Sequence, residues 1–137
     1  MQNSVIELLK GHALKVTPQR LSLLGLLETH GHLTIDDLYE EMREGFPNIS
    51  LATIYKNLHQ METNGMIKEI KLPGRKSVYE ISKEPHLHMV CDRCGKVEDI
   101  VIGTEKLVEE AEKASGYRIY ESFTTFRGLC PACRSAS

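Results

Sequence analysis

Four cysteines are the residues of this sequence that most clearly could do chemistry together. Cys91 and Cys94 form one CxxC pair, and Cys130 and Cys133 form a second. Two such pairs supply the four thiolates with which a closed structural site holds a tetrahedral zinc ion. The two pairs use every cysteine of the chain, which has 4. We therefore predict that these thiolates bind one structural Zn²⁺.

Other chemistry is also compatible with paired cysteines. Four buried free thiols are the plainest alternative, and a redox dithiol is another, although that motif normally precedes a helix and does not come twice. A zinc deaminase needs HxE and PCxxC motifs. Here the sequences are His86-Leu87-His88 and Cys-Pro-Ala-Cys, so the general acid/base and the proline placement are missing. The pattern favours structural zinc, and we expect no enzyme activity.

A second group of candidate ligands contains nitrogen and oxygen donors. His86 and His88 are two residues apart, so in a strand both would point to the same side. Glu80, Asp99 and His32 are further candidates, although each alone is an ordinary polar residue. Together these side chains would form a mixed site suited to Fe²⁺, Mn²⁺ or Zn²⁺.

Length and charge limit the possible classes of protein. The chain has 137 residues, 41% of them apolar, which allows one ordinary domain or two small ones. Its 17 basic and 19 acidic side chains give a net charge of -2, so any DNA contact depends on where a few cations lie. We see no export signal and no membrane span. We expect a cytoplasmic protein, whose thiols stay reduced.

The first part of the chain reads as a series of helices. A short one covers residues 4 to 10. Thr17 and Pro18 start a helix that runs to about His30. Thr34 and Asp37 resemble a capping box at the start of the next helix, which ends near residue 45. Another helix starts at Ser50 and ends at Asn64-Gly65.

A hairpin follows these helices. Residues 66–72 and 77–82 read as strands that flank the turn Pro73-Gly74-Arg75-Lys76. The order of helices and hairpin is that of a winged helix-turn-helix. We predict a winged helix DNA-binding domain over residues 1–82, a hinge at 83–85, and a dimerisation and metal-binding domain over 86–137. In the latter, strands are expected at 86–91, 96–102 and 117–126, with a helix at 104–115. The predicted fold class is α+β.

Three segments resemble the ferric uptake regulator (Fur) superfamily, and the resemblance covers nearly the whole chain. They run from Leu14 to Arg20, from Ile49 to Leu58 and from His86 to Gly95. The resemblance implies a homodimeric repressor that binds double-stranded, pseudo-palindromic operator DNA. It also implies a structural zinc site at the four cysteines and a regulatory Fe²⁺ or Mn²⁺ site at His32, Glu80, His86, His88 and Asp99. Some members have an additional metal site that uses a histidine in the last strand. The matching position here is at about Ser122, and the serine puts that site in doubt.

The resemblance makes residues 50–64 the recognition helix. Tyr55 could pack on a thymine methyl group, and Lys56 could reach a base edge or a phosphate. Four further cations are candidates for backbone or minor-groove contact: Lys15, Arg20, Arg75 and Lys76. The alternative for each is an ordinary solvated cation.

The subgroup is less sharply indicated. Tyr55-Lys56-Asn57-Leu58 resembles peroxide-sensing (PerR) members, whereas Glu80 is typical of iron-sensing ones. We favour a peroxide sensor, in which oxidation of a ligand histidine would release the metal, and keep an iron-responsive repressor of iron uptake as the alternative. A metal-binding module without DNA binding is a remote third possibility.

Overall fold

The computed structural model of the chain describes residues 2–83 and 86–136, including side chains from residue 5 onward. It divides into two compact units, Met1–Lys83 and Glu84–Ser137. Of the predicted hinge at 83–85, Glu84 and Pro85 lie outside the described residues. Neither unit's described residues contain a helix long and apolar enough to cross a membrane.

The first unit begins with four helices, which are α1 (Gln2–Gly11), α2 (Pro18–His30), α3 (Ile35–Gly45) and α4 (Leu51–Thr63). The predicted N-cap Thr17 is present, and its hydroxyl group accepts a backbone N–H group at the start of α2. Ser50, predicted only as the start of a helix, caps α4 in the same way. At α3, Thr34 and Asp37 form the reciprocal capping box. Such caps satisfy N–H groups that have no partner within the helix.

The core of this unit is built from one face of each helix. Leu23, Leu24 and Leu27 of α2 pack with Leu38 of α3 and with α4, where Ile54, Leu58 and Met61 recur at helical spacing. Full burial of a leucine or isoleucine side chain stabilises the fold by about 1.5 to 3 kcal/mol. The opposite face of α4 is left to solvent.

A two-stranded wing completes the first unit. Strands β1 (Ile67–Ile70) and β2 (Val78–Ile81) pair antiparallel, with Lys68 opposite Glu80. Leu33, between α2 and α3, forms an isolated antiparallel bridge to Tyr79. The bridge fixes the connection between two helices against the wing, and it lies one residue from both His32 and Glu80.

The second unit consists of β3 (Leu87–Cys91), β4 (Val97–Ile100), α5 (Glu105–Ser115), β5 (Thr125–Gly128) and α6 (Pro131–Ser135). The strand order is β4-β3-β5, with β3 antiparallel to β4 and parallel to β5. Gly116 ends α5 in the left-handed conformation, at a φ of 77°. Because β5 runs parallel to β3, the cysteine pair that follows β5 lies at the same end of β3 as the pair that begins with Cys91.

The predicted strand over residues 117–126 is wrong for most of its length. Only Thr125 and Phe126 of that range belong to a strand, which instead extends to Gly128. Residues 117–124 have no partner strand within the described part of this unit. The short helix α6, which begins directly after Cys130, was not predicted.

Much of the second unit's apolar surface is open to solvent. Tyr117, Tyr120 and Phe123 are 75%, 88% and 74% exposed, and Leu107 of α5 is 61% exposed. None of the described residues of α5 is buried. Soluble proteins seldom leave so many large apolar side chains uncovered unless another molecule binds there.

Candidate functional site

The four cysteine sulfurs lie together at one end of the second unit. All four Sγ atoms are within 4.8 Å of one another, and those of Cys94 and Cys130 are 3.9 Å apart. A zinc ion with Zn–S bonds of about 2.3 Å places its sulfurs roughly 3.8 Å apart. The cluster therefore fits tetrahedral zinc, whereas scattered free thiols or separate redox pairs would not bring four sulfurs together.

Backbone pairing explains why the two knuckles meet. Cys91 ends β3, and its carbonyl oxygen accepts a hydrogen bond from the Gly95 N–H, which closes the first turn. Because β5 runs parallel to β3, Cys91 lies opposite Gly128, and Asp92 N–H donates to the Gly128 carbonyl over 2.8 Å. The chain then enters the second knuckle, where Cys130 caps α6.

Backbone N–H groups are directed at the sulfurs. The N–H groups of Cys130 and Cys94 lie 3.4 Å and 3.5 Å from the Cys91 Sγ, and that of Cys133 lies 3.5 Å from the Cys130 Sγ. The two hydrogen bonds that the Cys91 sulfur accepts lower the pKa of its thiol to about 6, and the bond from the Cys130 N–H has the larger effect. Hydrogen bonding with Cys130, together with desolvation, raises the pKa of Cys133 to about 12. Crowded thiolates repel one another, and a divalent cation offsets that repulsion.

Polar contacts outside the sulfurs join the two knuckles. The Arg93 guanidinium donates to the Cys133 carbonyl over 3.1 Å, and Arg127 donates to Asp92 over 3.2 Å. Metal sites depend on such surrounding contacts to hold their ligands in place. Sequence reasoning missed them, because partners 35 to 40 positions apart give no local signal.

The first unit holds one pair of the candidate nitrogen and oxygen ligands. His32 Nε2 and Glu80 Oε1 are 2.9 Å apart, and the side chains are 11% and 1% exposed. The pair exists because the Leu33–Tyr79 bridge aligns the α2–α3 connection with β2. A buried carboxylate normally requires a charged or hydrogen-bonding partner. An imidazole and a carboxylate at this distance are suitable ligands for a divalent metal ion.

The second unit holds the other three. His86 Nε2 and His88 Nε2 are 3.1 Å apart, and each lies 3.5 Å from Asp99 Oδ1. His88 and Asp99 face each other across the β3–β4 pair, which accounts for their proximity. As predicted, the two histidines lie on one side of the strand. Two imidazoles and a carboxylate converging on one point are chemically suited to Fe²⁺, Mn²⁺ or Zn²⁺.

The candidate DNA-binding residues of α4 are on its open face. Tyr55 is 46% exposed and Leu51 is 40% exposed, and Lys56 is also exposed. In the wing turn, Arg75 and Lys76 are exposed, and Lys76 forms an ion pair with Asp36 of α3. Hydrogen bonding to Asp36 raises the pKa of Lys76, so this cation stays protonated.

The two remaining DNA candidates differ from each other. Lys15 is exposed in the loop before α2. The Arg20 guanidinium, by contrast, donates hydrogen bonds to Asn57 and Gln60 of α4. Asn57 was not singled out from the sequence. The available signal was its place on the buried side of α4, between Ile54 and Leu58, where a polar side chain needs a partner.

Comparisons with known proteins agree with this geometry. Residues 11–126 match the ferric uptake regulator family. The chain is 33% identical over 128 residues to the peroxide-responsive repressor PerR of Staphylococcus saprophyticus, with 92% of this chain and 86% of the relative covered.

Solved structures give the same result. The Campylobacter jejuni peroxide stress regulator is 37% identical with a TM-score of 0.70, and 94% of this chain and 98% of that one are covered. The ferric uptake regulator of Vibrio cholerae is 30% identical with a TM-score of 0.72, over 90% and 98% of the two chains.

These findings confirm the resemblance, the fold class and the expectation that the chain is not an enzyme. The fold is α+β, with an N-terminal winged helix-turn-helix domain and a small dimerisation domain that contains a four-cysteine cluster able to bind zinc. Structural zinc and a regulatory metal are the expected cofactors of such a protein. This chain belongs to the ferric uptake regulator family of metal-dependent transcriptional repressors.

Proposed function

We propose that this protein is a peroxide-responsive repressor that binds a pseudo-palindromic DNA operator as a homodimer when its regulatory metal is bound. The observation that carries the proposal is the convergence of His86, His88 and Asp99, in a chain whose relatives include peroxide-responsive repressors. In this proposal the zinc at the four cysteines has a structural role, because four thiolate ligands leave no open position for a reacting ligand.

In this proposal, the two ligand sets serve one metal ion. His32 and Glu80 belong to the DNA-binding domain, and His86, His88 and Asp99 belong to the dimerisation domain. Ligands from both domains would favour one relative orientation of the domains. The metal then stabilises the DNA-binding form by its differential affinity for that form. The Vibrio cholerae regulator is described as showing rearrangement of its DNA-binding domains, so such an orientation can change in a relative.

In the proposed peroxide sensor, the histidine ligands of the regulatory metal are the residues that respond to peroxide. His32, Glu80, His86, His88 and Asp99 would hold Fe²⁺, which would supply the electrons for the reduction of peroxide. The ligand imidazoles would then be the side chains nearest to the resulting oxidant. His32 and His88 are each held beside a carboxylate, so oxidation of either imidazole would remove one nitrogen ligand from the proposed site. Loss of metal affinity would release the repressor from DNA.

The exposed apolar side chains of the second unit support the homodimer. Tyr117, Tyr120, Phe123 and Leu107 are all more than half exposed. A two-fold axis brings the same surface of each copy together, so one apolar patch suffices for both. A dimer would present two α4 helices to successive major grooves of a palindrome. A repressor must reach chromosomal DNA, so the proposed function also implies a cytoplasmic protein.

An iron-responsive repressor is the second candidate function. It is favoured by one observation, the glutamate at position 80, which is typical of iron-sensing relatives. The hydrogen-bonded contact between Glu80 and His32 is compatible with both functions.

A gel mobility shift tests the shared part of the proposal. The test uses DNA fragments from upstream of the gene that encodes this protein and from upstream of peroxide-defence and iron-uptake genes. These fragments are incubated with the zinc-loaded protein, with and without Mn²⁺. We expect retention of specific fragments only with Mn²⁺. Metal-independent retention would contradict the proposed metal-dependent repressor. No retention under either condition would also contradict it, and would favour a metal-binding module that does not bind DNA.

A further inference from the structure

Arg20 joins the recognition helix to the loop that precedes α2. Its Nε donates to Asn57 Oδ1 over 3.3 Å and its second terminal nitrogen donates to Gln60 Oε1 over 2.5 Å. Its first terminal nitrogen donates to the Lys15 carbonyl over 2.9 Å. Asn57 and Gln60 are three residues apart, so both amides lie on one face of α4.

The contact is directional in a way that the core is not. Apolar burial of Ile54, Leu58 and Met61 turns one side of α4 inward, but hydrophobic contact has no preferred angle. A guanidinium presents its N–H groups in a rigid planar fork, so two acceptors on one helix fix the rotation and the axial position of that helix. Asn57 is itself held, because its Nδ2 donates to the Thr53 carbonyl over 3.1 Å.

The guanidinium therefore ties together two parts of the chain that the proposed function assigns to DNA. Tyr55 and Lys56 lie on the open face of α4, and Lys15 lies in the loop whose carbonyl Arg20 holds. Base-edge contacts require positions accurate to about half an ångström, whereas phosphate attraction tolerates much looser placement.

We propose that Arg20 is a positioning residue, which sets α4 and the Lys15 loop in register for base recognition, and is not a phosphate contact. This inference rests on the proposed function. It also replaces the sequence-based assignment of Arg20 to DNA backbone contact. The hydrogen bonds to Asn57, Gln60 and Lys15 direct the guanidinium into the domain.

The test uses the full-length, zinc- and Mn²⁺-loaded protein. A duplex is first enriched from a random-sequence DNA pool by the wild-type protein, and a scrambled duplex of equal length serves as the non-specific probe. Affinity for both is measured across a range of salt concentrations. If the wild type enriches no sequence, the proposed function fails and the inference fails with it; this step precedes any variant, so the two failures are distinguishable.

We expect Arg20→Gln to weaken binding to the enriched duplex by on the order of tenfold, the scale of one lost charge-assisted hydrogen bond. Binding to the scrambled duplex should change little, and the slope of log affinity against log salt should stay the same. A phosphate contact would instead weaken both duplexes alike and reduce the slope by about 0.9. That result would overturn the inference.

Two variants of the partner residue Gln60 test the same idea without changing the cation. Gln60→Ala should reduce the preference for the enriched duplex, although Arg20 and its charge remain. Gln60→Glu keeps an acceptor for the guanidinium, so the ratio of the two affinities should be retained even if the added charge weakens both. Unchanged discrimination in Gln60→Ala would overturn the inference. These variants also decide the matter if Arg20→Gln fails to fold, which thermal unfolding monitored by circular dichroism would reveal.

Discussion

Leu33 and Tyr79 exchange two backbone hydrogen bonds, of 3.3 Å from Leu33 N to Tyr79 O and of 2.8 Å from Tyr79 N to Leu33 O. The exchange makes the short α2–α3 connection behave as a third strand beside the wing. His32 and Glu80 each directly neighbour one of these two residues, which is why their side chains meet at 2.9 Å. A backbone contact outside the ligand set thus controls two proposed ligands.

Leu33→Pro should therefore weaken regulatory metal binding. Proline has no N–H to donate to Tyr79, and it also restricts the backbone of the preceding residue, His32. We expect a loss of Mn²⁺ affinity of about 10- to 100-fold, as for other supporting contacts of metal ligands. Isothermal titration with Mn²⁺ measures it. Leu33→Ala keeps the N–H and is the matched control; equal Mn²⁺ affinity in both variants would show that the bridge does not position His32.

Removal of one thiolate should disrupt the second unit. The wild-type protein is expected to bind about one zinc ion per chain. Cys94→Ser should lose this zinc and should no longer form the dimer, because metal binding and folding are coupled in small zinc domains. Metal analysis and light scattering after size exclusion give the two readouts. Ala132→Ser, between Cys130 and Cys133, alters the same knuckle without removing a ligand. A stable, fully metallated Cys94→Ser dimer would refute the zinc assignment.

The exposed ring of Tyr55 should contribute to sequence-specific binding. Truncation to Ala removes a surface suited to a thymine methyl group and should cost about 1 to 3 kcal/mol on the operator alone. Fluorescence anisotropy with operator and random duplexes measures both. Tyr55→Phe retains the ring and should bind nearly as the wild type does. If Tyr55→Ala loses nothing on either duplex, α4 does not enter the groove as proposed.

Lys76 should behave as a phosphate contact at the wing. Lys76→Ala is expected to weaken all sequences similarly and to reduce the salt slope by about 0.9. Asp36→Asn offers the opposite change, because it removes the carboxylate that pairs with Lys76 and should raise DNA affinity. Both effects are read from salt titrations. An unaltered slope in Lys76→Ala would leave the ion pair with Asp36 as the only role of this lysine.

Peroxide separates the two candidate functions. We expect low peroxide to release the Fe²⁺-loaded protein from DNA and to add oxygen to His32 or His88, detected by mass spectrometry of peptides. The Mn²⁺-loaded protein is the control and should stay bound. The cysteines should remain unmodified, since zinc-bound thiolates are committed to the metal. An iron-loaded protein that stays on DNA with unmodified histidines would identify an iron sensor.

Local signals explain most of what could be predicted from the sequence. The caps at Thr17, Thr34 and Ser50 each involve residues only three positions apart, so their chemistry is visible in a short stretch. The cysteine pairs were equally clear, because each pair is local and the count of four leaves little choice. The ligand function of His86 and His88 could be proposed from their spacing alone.

Longer-range relationships could not be predicted in this way. Arg20 was one of four cations assigned to DNA contact, while its side-chain partners Asn57 and Gln60 lie 37 and 40 residues away. The strand predicted over residues 117–126 failed for a related reason. Residue types can show that a segment is able to form a strand, but a strand also requires a neighbour. Among the described residues of this range, only Thr125 and Phe126 have one.

Because α5 and the segment after it leave apolar faces uncovered, the stability of the second unit would depend on the concentration of the protein itself in the proposed homodimer. An isolated helix of 11 residues is marginal in water, and α5 buries none of its described residues within its own chain. In the proposed homodimer a second copy would cover this helix, so mass action would set how much of this unit is folded. The cellular abundance of the repressor would then influence repression twice, through occupancy of DNA and through the fraction of chains able to bind it.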